Sequence, residues 1–317
     1  MIPASGYSKK AFKPSLPQAL SKTMRSSVID IGSNSIKLLV AQGKSATPIF
    51  EKLSETRLSP PAESVREYIS AEAFSAGLEA VFELTREARK FSPQREIIVG
   101  TSLFRTAANA KDFARAVEKM TGTPMLILSG EEEAELISDG VATDPSVQMP
   151  CAIFDLGGGS LEIIIKSGTE KQRSFRTSLK LGAVRMTRRF FKFPEQAIPD
   201  SELLALRKAV REETAALLPG KLPRGAQTVF CGGAASICSR LVPEKSTAAL
   251  EDFLKEICRK TLSERIALGV PEKRADIFPA AIAVLAELCS VGEIISFSHT
   301  HRNLRYGLCA RLNTEKL

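Results

Sequence analysis

The chain has 317 residues, of which 44% are hydrophobic and 25% are charged. These proportions are ordinary for a globular protein and exclude collagen-like, low-complexity and wholly disordered chains. A chain of this length favours two domains over one. No apolar run reaches the ~20 residues of a membrane-spanning helix, the closest being Phe278 to Leu285, so we expect no membrane partner.

Cysteines, histidines and charge narrow the class of protein further. The six cysteines include no Cys-x-x-Cys pair, which is typical of reduced cysteines, so we expect a cytoplasmic protein. Only two histidines are present, which argues against a histidine-rich zinc site and a serine–histidine–aspartate hydrolase. The net charge of +8 falls to +3 without the five basic residues of 1–29, a segment with no acidic residue. We therefore expect residues 1–25 to be a disordered basic tail, or an over-long start that precedes Met24.

Strands alternate with helices through the first half of the chain. Val28 to Ile31 predicts a strand that stops at Gly32, and a second strand returns over Ile36 to Gln42. The remaining pattern predicts helices over Ala71–Lys90, Phe104–Met120 and Glu131–Gly140, and strands over Glu96–Val99 and Met125–Leu128. The loop 142–149 indicates a boundary, so we expect an N-terminal domain over 26–145.

The chain then repeats itself. Ile29 to Val40 aligns without gaps on Phe154 to Ile165, at an offset of 125 residues. In each half, a strand ends in Asp-x-Gly, a tight polar turn follows, and a second strand returns. We therefore expect a duplicated α/β fold in which two similar domains face a shared cleft.

The second half continues with the same alternation. The pattern predicts strands over Lys171–Ser178, Gln227–Cys231 and Glu293–Phe297, helices over Gly182–Phe193 and Asp200–Leu218, and a helical run through Cys289. A closing helix is expected from Asn303. We expect a C-terminal domain over 146–300 and a closing segment, 301–317, that returns to the first domain.

The most informative hexapeptide runs from Asp155 to Ser160. The turn between two apolar strands consists of Gly157, Gly158 and Gly159, which have no Cβ. Its backbone N–H groups can therefore approach an anion closely. A flexible hairpin is the alternative for a bare glycine run, but here a carboxylate precedes the glycines and apolar strands flank them. We therefore predict a phosphate-binding turn that includes Ser160.

A second carboxylate follows this turn on the returning strand. Leu161, Ile163 and Ile165 take one face, so Glu162 points to the same side as the glycine turn. Asp155 and Glu162 would then flank a phosphate site with the oxygen ligands that Mg²⁺ prefers. The alternative for Glu162 is a solvated strand residue.

Acidic residues also cluster at the start of a predicted helix. Four acids lie in the five positions that follow Gly130, and Ser129 can cap this helix, so capping and the helix dipole explain much of the cluster. The strand predicted over Met125–Leu128 nevertheless places this cluster at the edge of the sheet where α/β proteins bind ligands. One of these acids is therefore a candidate general base. Arg105 lies near another predicted helix start, where a guanidinium favours an anion.

Taken in order, these motifs resemble the exopolyphosphatase and guanosine pentaphosphate phosphatase (Ppx/GppA) family of the sugar kinase, actin and heat-shock ATPase superfamily. The similarity covers most of Ser27 to Leu312. It rests on six ordered segments, 29–35, 100–109, 127–134, 155–162, 178–185 and 274–280. The resemblance implies an α/β fold of two duplicated actin-like (ribonuclease H-like) domains, with mixed sheets flanked by helices and an active site in the interdomain cleft.

The resemblance also implies an activity and the roles of individual residues. The family hydrolyses the terminal phosphoanhydride of polyphosphate, or the 5′ end of guanosine pentaphosphate, with Mg²⁺ and with Mn²⁺ as a substitute. Glu133 is the implied general base, with Glu132 as its rival. Asp30, Asp155 and Glu162 are the implied metal-side carboxylates. The implied phosphate contacts are Ser33, Asn34, Arg105, Gly157, Gly158, Gly159, Ser160, Gly232 and Gly233.

Two departures from the family pattern bear on the substrate. Ala234 ends a segment that reads "GxGGT" in the family, and Tyr306 replaces the glutamate of "LREG". We expect an exopolyphosphatase that forms a homodimer and binds no nucleic acid. The alternatives are a guanosine pentaphosphate 5′-phosphohydrolase, a weakly catalytic regulator that binds guanosine tetra- or pentaphosphate, and a kinase or ATPase of the same superfamily.

Overall fold

A computed structural model describes residues 24–59, 68–167, 174–218 and 222–314. The predicted tail, 1–25, lies outside the described residues except for Met24 and Arg25, and Arg25 opens the first strand. Among the described helices, none is both long and apolar enough to cross a bilayer.

The first half of the chain forms a mixed sheet flanked by helices. Its elements are β1 (Arg25–Ile31), β2 (Ile36–Gln42), β3 (Thr47–Ser54), α1 (Ala71–Arg89), β4 (Arg95–Gly100), α2 (Ala110–Thr121), β5 (Met125–Ile127) and α3 (Gly130–Val141). The strand order is β3-β2-β1-β4-β5. The central strand, β1, is antiparallel to β2 and parallel to β4.

The second half repeats this arrangement and adds helices. Its elements are β6 (Cys151–Leu156), β7 (Leu161–Lys166), β8 (Phe175–Leu179), α4 (Ala183–Phe190), α5 (Asp200–Thr214), β9 (Gln227–Cys231), α6 (Gly233–Leu241), α7 (Thr247–Cys258), α8 (Leu262–Ala267), α9 (Phe278–Val291), β10 (Ser298–His299) and α10 (Leu304–Asn313). The strand order β8-β7-β6-β9-β10 matches that of the first sheet. The predicted fold class, a duplicated α/β fold with mixed sheets, is therefore confirmed.

The central strands of both sheets are buried because helices cover both faces. Every residue of β6 is buried, and β1 is buried after Arg25. The matching registers place Asp30 opposite Lys37 and Asp155 opposite Glu162. Each carboxylate thus lies one residue before the end of its strand, beside the turn that follows.

Helix α10 returns from the second half of the chain to pack on α3 and β1. Two glycines allow this close crossing. A Cβ on Gly140 would collide with the Asn303 carbonyl, and a Cβ on Gly307 would collide with the Leu136 carbonyl. The crossing therefore carries Asn303, the residue before α10, to the end of β6.

Some predicted elements are wrong in their bounds. The helix predicted over Phe104–Met120 is a short 3₁₀ helix, Ser102–Arg105, followed by α2. The Asn109 side chain accepts a hydrogen bond from the Ile69 N–H at 3.0 Å and donates one to the Ile69 carbonyl at 2.9 Å. Asn109 is therefore held by the segment before α1 instead of continuing a helix.

The strand predicted over Glu293–Phe297 is also wrong. The N–H of Thr247 donates to the Ile295 carbonyl and the N–H of Phe297 donates to the Lys245 carbonyl, each at 3.0 Å. These bonds attach the segment to a neighbouring loop, and the sheet is extended instead by β10. Within the described part of the strand predicted over Lys171–Ser178, β8 begins at Phe175. The helical run predicted through Cys289 divides into four helices, α6, α7, α8 and α9.

Candidate active site

Two equivalent turns meet between the sheets. The β1–β2 turn closes with a hydrogen bond from the Gly32 N–H to the Ser35 carbonyl, and the β6–β7 turn closes from Gly157 to Ser160, each at 3.0 Å. A Cβ on Gly159 would lie 2.9 Å from Ser33 Oγ. The two turns therefore touch, and both line the same cleft.

Helix α4 holds the glycine turn from one side. The N–H of Ala183 donates to the Gly157 carbonyl and that of Val184 donates to the Gly158 carbonyl, each at 2.9 Å. Within the described residues, the N–H groups of Gly158 and Gly159 have no backbone acceptor. These two donors are suited to bind a phosphate oxygen in the cleft.

Asp30 and Asp155 occupy equivalent positions in the two halves. Both carboxylates line the cleft, with 7% and 6% of each residue exposed. Burial raises the pKa of both carboxyls, and Lys37 partly opposes this shift. The Asn303 side-chain amide donates to Asp155 Oδ2 at 3.1 Å.

Lys37 is a cleft residue that the sequence analysis did not single out. In the aligned repeat it occupies the position of Glu162, so the duplication itself could have identified it. Burial lowers the pKa of Lys37, while Asp30 and Asp155 raise it. A cation in the first half thus stands where the second half has a carboxylate.

Glu133 lies in the first turn of α3 and is held by Arg105. The guanidinium donates to Glu133 Oε2 at 2.6 Å and to the Leu128 carbonyl at 3.0 Å. Burial raises the pKa of Glu133 to about 7, although Arg105 opposes the shift. A carboxyl with a pKa near neutrality can exchange a proton with water during a reaction.

Glu132 caps the start of α3, whereas the adjacent Glu133 lines the cleft. Its carboxylate accepts from the Ser129 N–H at 2.8 Å, and Ser129 Oγ accepts from the Glu132 N–H at 3.2 Å. This reciprocal pair is a capping box at the start of α3. The backbone bond from Ser129 lowers the pKa of Glu132, and the residue does not line the cleft.

Glu162 is buried beside Glu133 and Asp155. It is 2% exposed, and the Ser178 hydroxyl donates to its Oε1 at 2.7 Å. Burial raises the pKa of Glu162 well above its usual value, and the charges of Glu133 and Asp155 raise it further. A cation in the cleft would relieve this repulsion.

The Gly232–Gly233 turn lies against Asp155 and Arg274. Gly232 has φ +93°, and a Cβ there would lie 2.8 Å from Asp155 Oδ1. A Cβ on Gly233 would collide with the Arg274 guanidinium, so only glycine leaves space for it. Arg274 pairs with Glu55 of the first half at 2.9 Å. Arg274 belongs to the segment 274–280 of the family resemblance, but no role was predicted for it from the sequence.

The acidic residues of the cleft fit a magnesium ion that water and substrate help to hold. Asp30, Asp155 and Glu162 are oxygen ligands on one cleft. Among the described residues, no three acidic, histidine or cysteine side chains converge closely enough to hold a metal by themselves. Mg²⁺ commonly takes one or two carboxylates and completes its shell with waters and substrate phosphates, so this donor set suits it.

The sequence profile of the Ppx/GppA phosphatase family matches residues 38–315. An uncharacterized protein of Streptomyces coelicolor is 33% identical over 193 residues, which cover 60% of this chain and 56% of that protein. A guanosine-5′-triphosphate,3′-diphosphate pyrophosphatase of Aliivibrio fischeri is 27% identical over 292 residues, which cover 89% of this chain and 58% of that protein. The chain thus spans little more than half the length of these relatives.

Solved structures share the fold at low sequence identity. An exopolyphosphatase from Cytophaga hutchinsonii has a TM-score of 0.81 at 20% identity, and the match covers 92% of this chain and 98% of that chain. An enzyme described as PPX-GPPA from Aquifex aeolicus has a TM-score of 0.73 at 21% identity, covering 90% and 99%. With the family profile matching most of the chain, the protein belongs to the Ppx/GppA phosphatase family.

Proposed function

We propose that the protein is a magnesium-dependent exopolyphosphatase, which hydrolyses the terminal phosphoanhydride of inorganic polyphosphate. The observation that carries the proposal is the Glu133–Arg105 pair, a buried carboxyl with a pKa of about 7 on the same cleft as the glycine turn. Membership of the phosphatase family supports phosphoanhydride hydrolysis as the class of reaction.

The terminal phosphate binds where donors and cations face the cleft. The N–H groups of Gly158 and Gly159 donate to its oxygens, Lys37 supplies positive charge from the first half, and Arg274 supplies it from the second half. Phosphoryl transfer depends mainly on such positioning and neutralisation of charge. A Cβ on Gly159 would lie 2.7 Å from Ser102 Oγ and 2.9 Å from Ser33 Oγ, so the two halves of this site approach closely at this glycine.

Glu133 acts on the attacking water. The water oxygen forms a bond to the terminal phosphorus, and its proton passes to the Glu133 carboxylate. The bond from that phosphorus to the bridging oxygen breaks, and the bridging oxygen leaves with the rest of the chain. The products are orthophosphate and a chain shorter by one unit, while Arg105 keeps the carboxylate oriented.

Asp30, Asp155 and Glu162 would hold Mg²⁺ in this cleft, directly or through its waters. The ion neutralises charge on the phosphate oxygens when it is bound. Asn303 and Ser178 orient two of these carboxylates by hydrogen bonds of 3.1 and 2.7 Å.

A guanosine pentaphosphate 5′-phosphohydrolase is the second candidate, because relatives that match 88–90% of this chain carry that kind of name. Phosphate release from long polyphosphate, guanosine pentaphosphate and ATP, each with Mg²⁺, distinguishes the candidates. We expect the highest kcat/KM with polyphosphate. A preference for guanosine pentaphosphate would support the second candidate, a preference for ATP would indicate a kinase or ATPase, and binding without release would indicate a regulator.

A further inference from the structure

A second groove continues from the active-site cleft. Ser33, Asn34 and Ile277 line both cavities, so the groove opens directly beside the β1–β2 turn. Its polar lining away from the cleft includes Arg57, Ser59, Thr187, Arg188, Lys192 and Asp276. An elongated ligand whose end lies in the cleft can therefore extend into this groove.

Asn34 leaves an unused donor at the junction of the two cavities. The residue is 8% exposed, and its side-chain nitrogen has no hydrogen-bond partner among the described residues. A buried donor without an acceptor is unfavourable, because its lost hydrogen bonds to water are not replaced. An oxygen of a ligand that passes from the cleft into the groove would satisfy it.

Arg57 lines the groove in a strained conformation. Its φ of +47° lies in the left-handed region, which is unfavourable for a residue other than glycine. Its N–H donates to the Asn34 carbonyl at 3.1 Å, and the Ser59 N–H donates to the Ser33 carbonyl at 3.0 Å. The strain thus accompanies two bonds that fix this wall of the groove to the phosphate turn.

The charge of the groove favours a polyanion. Its lining includes three basic side chains, Arg57, Arg188 and Lys192, and one acidic side chain, Asp276. Asp276 already pairs with Arg57 at 2.7 Å. Phe191, the aromatic residue among the described lining residues, is 4% exposed and offers little surface for stacking a purine base. Guanidinium, ammonium and hydroxyl groups are instead ligands for phosphate oxygens.

We infer that this groove binds the second and later phosphates of a linear polyphosphate whose terminal phosphate occupies the cleft. The inference rests on the proposed function and extends it, because it assigns selectivity for a long inorganic chain to residues outside the cleft. The Asn34 amide binds the chain where it leaves the cleft, and Lys192 binds it farther along the groove.

Lys192→Glu tests this inference, because Lys192 is exposed and its substitution should not disturb folding. KM and kcat are measured with tripolyphosphate and with long polyphosphate. We expect the KM for long polyphosphate to rise about fivefold with kcat unchanged, whereas the KM for tripolyphosphate changes less than twofold. The difference should shrink at high salt, which screens exposed charges.

Arg189→Glu is the matched control, since it makes the same charge change on an exposed residue of α4 that does not line the groove. It should leave the ratio of the two KM values at the wild-type level. A Lys192→Glu variant that affects both chain lengths equally, or neither, would overturn the inference. So would an Arg189→Glu variant with the same effect as Lys192→Glu.

Calorimetric titration with long polyphosphate in the absence of metal separates this inference from the proposed function. If the wild-type protein released no phosphate from polyphosphate, the proposed function would fail. The titration would still report on the groove, where Lys192→Glu should weaken binding about fivefold relative to Arg189→Glu. Equal affinities for long polyphosphate in the two variants would overturn the inference by itself.

Discussion

Two adjacent glutamates in α3 acquire different chemistry from their surroundings. Glu132 forms the capping box with Ser129, and that bond lowers its pKa. Glu133 is buried beside Arg105, and its pKa rises to about 7. Successive helix residues point about 100° apart, so only one of the two side chains faces the cleft. The pair thus divides into a structural carboxylate and a candidate base.

Glu133→Gln should lower kcat on polyphosphate by about 10²–10⁴-fold. The substitution preserves the size of the side chain but removes its ability to accept a proton from water. Binding should persist, and KM should fall if removal of the negative charge strengthens binding of the anionic substrate. Steady-state kinetics and calorimetric titration measure the two effects separately.

Glu132→Gln is the matched control for this prediction. It should leave kcat within about twofold of wild type and lower the free energy of unfolding by less than about 1 kcal/mol, because it weakens only the cap. Loss of activity in Glu132→Gln with normal activity in Glu133→Gln would reverse the assignment of the base.

The activity should depend on pH through Glu133. The base must be ionised, and its pKa is raised to about 7, so kcat/KM should fall as the pH drops below about 7. Arg105 favours the ionised form, so Arg105→Gln should move this acidic limb to higher pH. A pH profile of kcat/KM for both proteins checks the direction, and an acidic limb that remains in place in Arg105→Gln would contradict it.

At the scale of secondary structure, the duplicated strand pairs could be predicted from the sequence because their core strands are apolar. Ile29–Val40 and Phe154–Ile165 form equivalent strands and turns, as the aligned repeat indicates. The edge strand β3 was missed, because most of its residues are exposed and it lacks an apolar alternation. The position of β10 depends on two residues that pair with β9, and no local pattern specifies so short a strand.

Only part of the candidate site could be predicted from the sequence, because tertiary packing brings some of its residues together. The glycine turn and Glu133 belong to short motifs that a sequence displays directly. Arg274 and Asn303 come from distant segments, and tertiary packing brings them to Gly233 and Asp155. Asn303 lies 148 residues from Asp155 in the chain and Arg274 lies 41 residues from Gly233, so no local pattern in one sequence encodes these contacts.

Gly307→Ala should destabilise the α3–α10 crossing. The added methyl group would collide with the Leu136 carbonyl, so we expect the free energy of unfolding to fall by about 3 kcal/mol. Activity should fall as well, because α10 positions Asn303 against Asp155. Urea denaturation and phosphate release measure these two effects.

Gly122→Ala provides a comparison for this variant. A Cβ there meets no atom within 4 Å, but φ is +75°, so the expected loss is about 1 kcal/mol with activity retained. If Gly307→Ala were no less stable than Gly122→Ala, the close crossing would not be a constraint on the fold.

Across the whole molecule, charged pairs connect the two halves of the chain on one side of the cleft. Arg274 pairs with Glu55 at 2.9 Å, and Arg57 pairs with Asp276 at 2.7 Å. The Lys273 ammonium also donates to the Glu55 carbonyl at 3.1 Å. Because Arg274 contacts Gly233, the same residue that joins the halves contributes charge to the cleft.

A double-mutant cycle of Glu55→Gln and Arg274→Met should show coupling. The pair is partly buried, so we expect a coupling free energy of about 1 kcal/mol by urea denaturation. Arg274→Met should also raise the KM for polyphosphate more than Glu55→Gln does, because Arg274 supplies positive charge to the cleft and Glu55 does not. Additive effects on stability would show that this pair does not couple the halves.

Orthophosphate release from long polyphosphate, before and after chelation of divalent metal, tests the central claim most directly. We expect release of single orthophosphate units with Mg²⁺, loss of release on chelation, and recovery when Mg²⁺ or Mn²⁺ is added, because the cleft carboxylates cannot by themselves neutralise a polyanion. Full activity after exhaustive chelation, or no release with either metal, would contradict a metal-dependent exopolyphosphatase.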